Sequence, residues 1–196
     1  MDGPTHSPGG GEESPRTPER KDLSRLCAEL NRSGARYVVV GGFAIIEAGY
    51  LRLTNDVDLL VDTSPENERR VYEALRTLPD KAVNELDAGD IERFTVVRVA
   101  DEILVDLMKS GCGVDYAEAI KDAVWREIDG VKIPFASPQT LWRMKQTHRE
   151  KDIPDRLFLR KLLEASGIKV QESTVVRGKR PEGLRAWLLR IFGGNS

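Results

Sequence analysis

Apolar residues change their spacing several times along the chain, and each change marks a new element. Leu23, Leu26, Cys27 and Leu30 recur at i, i+3, i+4 and i+7, which predicts an amphipathic helix that Gly34 ends. Tyr37-Val38-Val39-Val40 is short, apolar and β-branched and reads as a buried strand. Gly41-Gly42 follows, then a helical stretch over 43–48 closed by Gly49, then a second strand over 57–61. Ser64-Pro65 offers a capping hydroxyl and a proline for the first helical position, so a helix opens there with Val71, Ala74, Leu75 and Leu78 on its apolar face. Two β-rich runs, 94–99 and 103–108, flank the polar Ala100-Asp101-Glu102 and predict a hairpin. A short helix over 116–123 leads to a second hairpin, 125–128 and 131–135, turned at Asp129-Gly130. Ser137-Pro138 repeats the cap-and-proline start, opening a helix to about 149. Pro154 interrupts, and a last helix over 155–165 ends at Gly167.

The two ends of the chain read differently. Residues 1–20 hold four prolines, four glycines and no aliphatic residue beyond Met1, too little apolar surface to offset the entropy of ordering, so they predict a disordered arm. Residues 173–196 carry Arg177, Lys179, Arg180, Arg185 and Arg190 against the single acid Glu182. Leu184, Trp187, Leu188 and Ile191 return to helical spacing there, giving a basic amphipathic segment that could dock on its own domain, contact RNA or meet a partner. The expected division is therefore an arm (1–20), a core (21–136), a helical segment (137–172) and a basic tail (173–196).

Composition narrows the class. The chain has 196 residues, 40% hydrophobic and 32% charged, enough for one globular domain with a small appendage. No run approaches the roughly 18–20 apolar residues that span a bilayer, and the first residues lack the apolar stretch of a secretory signal. The net charge of -2 argues against bulk coating of nucleic acid while leaving room for a local basic patch. Cys27 and Cys112 have no metal-ligand spacing, which points to a reducing cytoplasm.

The candidate chemistry lies in VVVGGFAIIEAGYLRLTNDVDLLVD, residues 38–62. A glycine pair between a strand and a helix permits a tight turn and close approach of a ligand to backbone N–H groups, with an anionic phosphate as the natural guest. Asp56 and Asp58 alternate on a strand, so both carboxylates project from one face with Cα atoms roughly 6.5–7 Å apart. Val57, Leu59 and Val61 face the core, and Asp62 reads as a strand-end residue. Two adjacent carboxylates repel unless a cation lies between them, and hard divalent ions suit such oxygen ligands. Asp106 would make a third: it interrupts the apolar run Ile103-Leu104-Val105-Asp106-Leu107-Met108, where an acid is costly to bury unless it is paired or bound to metal. A sheet-edge aspartate facing water is the alternative.

Gly41-Gly42, then thirteen residues, then Asp56-Val57-Asp58 before Leu59-Leu60, then a distant Asp106 on a strand, resembles the polymerase-beta-type nucleotidyltransferase superfamily over about half the chain. The resemblance implies an α/β (α+β) nucleotidyltransferase fold, a mixed twisted β-sheet flanked by helices with further C-terminal helices. It also implies transfer of a nucleoside monophosphate from an NTP, with Mg²⁺, as two ions, on Asp56, Asp58 and Asp106. Gly41 and Gly42 would cradle the triphosphate, and Asp106 would lie nearest the acceptor. Leu141-Trp142-Arg143-Met144-Lys145 with the 148–155 segment resembles the abortive-infection, toxin-like nucleotidyltransferases. There Lys145 and either Asp152 or Asp155 would belong to the site; local ion pairs at a helix end are the rival reading. Arg52 and Thr54 stand just ahead of the acid pair, where related enzymes place an Arg and a Thr. Arg52 would then hold a phosphate, unless it is merely an exposed loop residue. His148 reads as a substrate contact or a half-exposed helix residue. The toxin-like resemblance leans toward RNA, a tRNA end in particular, with a cognate antitoxin as partner. A protein hydroxyl, a small molecule, or a non-catalytic binding module are the alternatives.

Overall fold

The computed structural model describes residues 14–170. The chain runs α1 (Arg20–Ser33), β1 (Tyr37–Val39), α2 (Gly41–Glu47), β2 (Asp56–Val61) and α3 (Pro65–Leu75). A 3-10 turn (Ala82–Glu85) and the one-turn α4 (Asp90–Arg93) precede β3 (Val96–Ala100) and β4 (Leu104–Met108). A two-residue hairpin, β5 (Ser110–Gly111) and β6 (Val114–Asp115), leads into α5 (Tyr116–Ala119). Then come β7 (Val124–Ile128), β8 (Val131–Phe135), α6 (Pro138–Met144), a 3-10 turn (Glu150–Asp152) and α7 (Ile153–Ala165).

Six strands form one mixed sheet in the order β3-β4-β2-β1-β8-β7. β2 lies antiparallel to β1 and parallel to β4, and β1 lies parallel to β8, so helices cross over both parallel junctions. Helices flank the sheet: α1 packs on α3 and β8, α2 on α6, and α6 on α7. Val38, Val57, Leu59, Leu60, Val105 and Leu107 are fully buried at its centre. The fold is the mixed α/β arrangement, a mixed sheet flanked by helices, that the resemblance implies.

The caps form for the expected reasons. Ser64 and Ser137 accept from Asn67 and Thr140 N–H, each followed by proline in the first turn. Asp129 (φ 51) and Gly130 (φ 78) make the left-handed turn that closes β7 on β8.

Three expectations change. The helix expected to reach about 149 stops at Met144, because the Lys145 side chain turns to acids that follow in sequence and the chain folds back through the 3-10 turn. Pro154 does not interrupt a helix; it lies in the first turn of α7, where a missing N–H costs nothing. The disordered arm expected over 1–20 does not include its last residues. The Arg16 N–H donates to the Glu102 carbonyl at 2.9 Å, its guanidinium grips Asp22 at 2.6 and 2.8 Å, and α1 has begun by Arg20. The remainder of that arm, 1–13, and the basic amphipathic segment over 173–196 lie outside the described residues. No described helix is long and apolar enough to cross a membrane.

Candidate functional site

Strand register creates the site. Asp58 on β2 pairs with Asp106 on β4, and Asp106 pairs with Arg98 on β3, so these three residues form one row across neighbouring strands. Asp56 precedes Asp58 by one pleat and shares its face. The three carboxylates offer oxygens that all lie within 4.8 Å of one another. An all-oxygen set of this charge fits a hard divalent cation. Asp106 is buried, so the alternative of an edge residue facing water does not hold.

The glycine turn borders the same row. The Val40 N–H donates to the Asp58 carbonyl at 3.0 Å, and the Gly42 N–H reaches Asp58 Oδ2 at 3.4 Å. Gly41 has φ +60, and a Cβ there would lie 1.8 Å from Asp58 Oδ2. A Cβ on Gly42 would lie 2.1 Å from Thr54 Oγ1. The two glycines are therefore required by the approach of Asp58 and Thr54 as well as by the turn. Thr54 is buried. Its hydroxyl lies 3.2 Å from the Asp56 carbonyl and 3.3 Å from Asp56 Oδ1, so it props Asp56 from below.

Electrostatics follow from crowding. Burial, then repulsion from Asp56 and Asp106, pushes the Asp58 carboxyl up to about 6; the Gly42 N–H and the Lys145 charge oppose that rise. Arg98 answers the repulsion at the other end of the row. Its Nε and Nη2 each donate at 2.7 Å to the two oxygens of Asp106, and Nη2 lies 3.7 Å from Asp56 Oδ2. Sequence reading missed Arg98. Its signal was a lone cation in the apolar strand Val96-Val97-Arg98-Val99, which acquires meaning only once that strand is paired with β4.

A second cluster joins α6, α7 and the loop before β2. Lys145 Nζ pairs with Asp152 Oδ1 at 2.8 Å and with Asp155 Oδ2 at 2.9 Å. Both acids thus contact Lys145, and both are fully buried. Asp152 also accepts from the Thr147 hydroxyl and from Arg149 Nε at 3.0 Å. Burial alone would raise its carboxyl, but the hydrogen bonds and charges of Lys145, Thr147 and Arg149 prevail and hold it below its ordinary value. Arg52 Nη1 binds Asp155 Oδ2 at 2.6 Å, and Tyr50 stacks on Phe158 with ring centroids 5.0 Å apart. The loop carrying Arg52 and Thr54 is thereby pinned to α7. Arg156 Nη1 donates to the Lys145 and Thr147 carbonyls at 3.1 and 2.9 Å, fixing the end of α6. His148 is exposed.

The chain is similar to solved structures of other proteins. One described as a nucleotidyltransferase from Thermotoga maritima shares 18% identity, covers 87% of this chain and 92% of its own, and has a TM-score of 0.43. An antigenic nucleotidyltransferase-like protein from Paracoccidioides brasiliensis shares 18% identity, with 89% and 87% coverage and a TM-score of 0.44. No curated protein matches the sequence. The family described as "Nucleotidyl transferase of unknown function (DUF2204)" matches residues 19–178, a span that contains the glycine turn, all three carboxylates and the Lys145 cluster, and the chain belongs to that family.

Proposed function

We propose that the protein is a metal-dependent nucleotidyltransferase that moves a nucleoside monophosphate from an NTP to an acceptor hydroxyl. The observation that carries this reading is the convergence of Asp56, Asp58 and Asp106 on one face, with ligand oxygens within 4.8 Å. These three would hold Mg²⁺. When bound, as a pair of ions, it would supply Lewis-acid activation of the acceptor hydroxyl and charge stabilisation of the leaving pyrophosphate. The chain's own groups do the rest. The Gly41-Gly42 turn leaves backbone room for the triphosphate beside Asp58. Lys145 contributes positive charge near the same carboxylate and is held there by Asp152 and Asp155. Arg52, pinned through Asp155, and Thr54, packed beneath Asp56, hold the nucleotide side of the site in shape. Asp106 takes the proton of the attacking hydroxyl as its oxygen bonds to the α-phosphorus and the bond to pyrophosphate breaks.

The acceptor favoured here is RNA, a tRNA end in particular, with the protein acting as a toxin checked by a cognate antitoxin in the cytoplasm. That reading rests on the resemblance of the 141–155 segment to toxin-like nucleotidyltransferases and on the basic residues of 173–196. The test supplies labelled NTPs singly, with Mg²⁺, to separate pools of total RNA and protein. Label should enter RNA with the native chain and not with the Asp56→Ala/Asp58→Ala variant. Label in protein alone would refute the RNA acceptor, and undiminished transfer by the double variant would refute the site.

A further inference from the structure

Among the described residues, Arg98 is the one cation that touches two of the three carboxylates, and the reaction described above has no use for it in that position. Its planar fork meets Asp106 through two 2.7 Å bonds while its outer nitrogen leans toward Asp56. A guanidinium matches a carboxylate in this bidentate way and has no oxygen ligands of its own to offer a metal. It therefore occupies directions from which Asp106 would bind an ion. Among the described residues, Asp58, at the inner end of the row, receives only the long Gly42 N–H bond. The three acids are thus unequal: Asp106 is gripped by two short bonds, Asp56 lies 3.7 Å from the same guanidinium, and Asp58 has only a long backbone bond among the described residues. Arg98 stands on β3, the edge strand, with its side chain 43% exposed, so it has somewhere to go when released.

We propose that Arg98 is an internal counter-cation that competes with the metal for Asp106. The site takes a first ion through Asp58 and Asp56. It completes its metal set only when Arg98 gives up Asp106, and Arg98 thereby sets the affinity of the second ion. In the metal-free protein it also keeps β2 and β4 from carrying three adjacent unpaired charges. This rests on the metal-site reading of the three carboxylates.

Titration with Mn²⁺ alone, followed by electron paramagnetic resonance of the free ion, tests the proposal without reference to turnover. The probe is used on the full chain and on Arg98→Gln and Arg98→Lys, with circular dichroism confirming folding. Arg98→Gln should bind the second Mn²⁺ about tenfold more tightly, the factor that corresponds to losing a half-exposed charge-assisted pair. Arg98→Lys keeps the charge but loses the fork, and should also bind more tightly, by a smaller factor. Unchanged or weaker binding in Arg98→Gln overturns the proposal while leaving the metal site standing. So does tighter binding in Arg98→Gln with Arg98→Lys matching the native chain, because that pattern is general charge and not competition. Absence of Mn²⁺ binding in all three folded chains overturns both this proposal and the metal-site reading beneath it.

Discussion

Asp58→Asn should make the metal-free protein more stable and the metal-loaded protein less so. The Asp58 carboxyl is raised from 3.8 to about 6 by burial and by its acidic neighbours. A folded-state value above the unfolded one means that the fold prefers the protonated form. The group therefore costs nothing below about pH 4, costs progressively more between about 4 and 6, and carries its full penalty above that. At 1.36 kcal/mol per pH unit the ceiling is about 3 kcal/mol. Asp58 is partly open to water, so we take about 1–2 kcal/mol as the expected gain when the charge is removed. Asparagine has the same shape and still offers an oxygen to the Gly42 N–H. For a chain of this size the gain corresponds to a Tm rise of about 2–8 °C at pH 7.5. The advantage should vanish at pH 4, where the native carboxyl is protonated. Adding Mn²⁺ at about 100 times its dissociation constant should raise native stability by about 2.7 kcal/mol, with little effect on the variant. Thermal melts at both pH values, with and without Mn²⁺, read all four conditions. A variant no more stable than the native chain at pH 7.5 would refute the charge-crowding account.

Other outcomes follow from the same geometry. Gly41→Ala should lose Mn²⁺ binding in the same resonance titration, since its Cβ would lie 1.8 Å from Asp58 Oδ2 and its φ of +60 adds about 1–2 kcal/mol of backbone strain. Lys145→Met should lower stability by about 3–5 kcal/mol in urea unfolding, because it strips a shared cation from two fully buried carboxylates; a loss below about 1 kcal/mol would show that Arg149 and Arg52 suffice. Arg16 holds the Asp22 carboxyl down to about 2 from an ordinary 3.8, so Asp22 contributes stability above about pH 4 that disappears as pH falls toward 2. Arg16→Ala should flatten the Tm profile across that window, and an unchanged profile would mean that Arg16 does not anchor the start of α1.

What the sequence revealed and what it concealed divide along one physical line. Period-two alternation puts Asp56 and Asp58 on one face, and the apolar run around Asp106 advertises a costly acid, so each carboxylate was legible within its own segment. The same holds for the Ser-Pro starts at 64 and 137, whose capping is local chemistry. Arg98 was not legible, because nothing in Val97-Arg98-Val99 states which residue lies opposite. A slip of one position in the β3–β4 pairing would turn Arg98 to the other face, away from Asp106. The end of α6 was hidden for a related reason. Nothing in Lys145-Gln146-Thr147-His148-Arg149 breaks a helix, yet the chain leaves it after Met144, where Lys145 meets two buried acids, one of them ten residues ahead. Arg52 offered two readings, a phosphate ligand or an exposed loop residue, and neither named its partner Asp155, 103 positions away. For Arg98 and Arg52 the deciding interaction joins charges through the fold and not along the chain. At this site Arg98, which sequence missed, and Arg52, whose partner sequence did not name, are cations whose acids sit on other elements. Lys145, whose two acids follow it closely, was the cation that sequence could find.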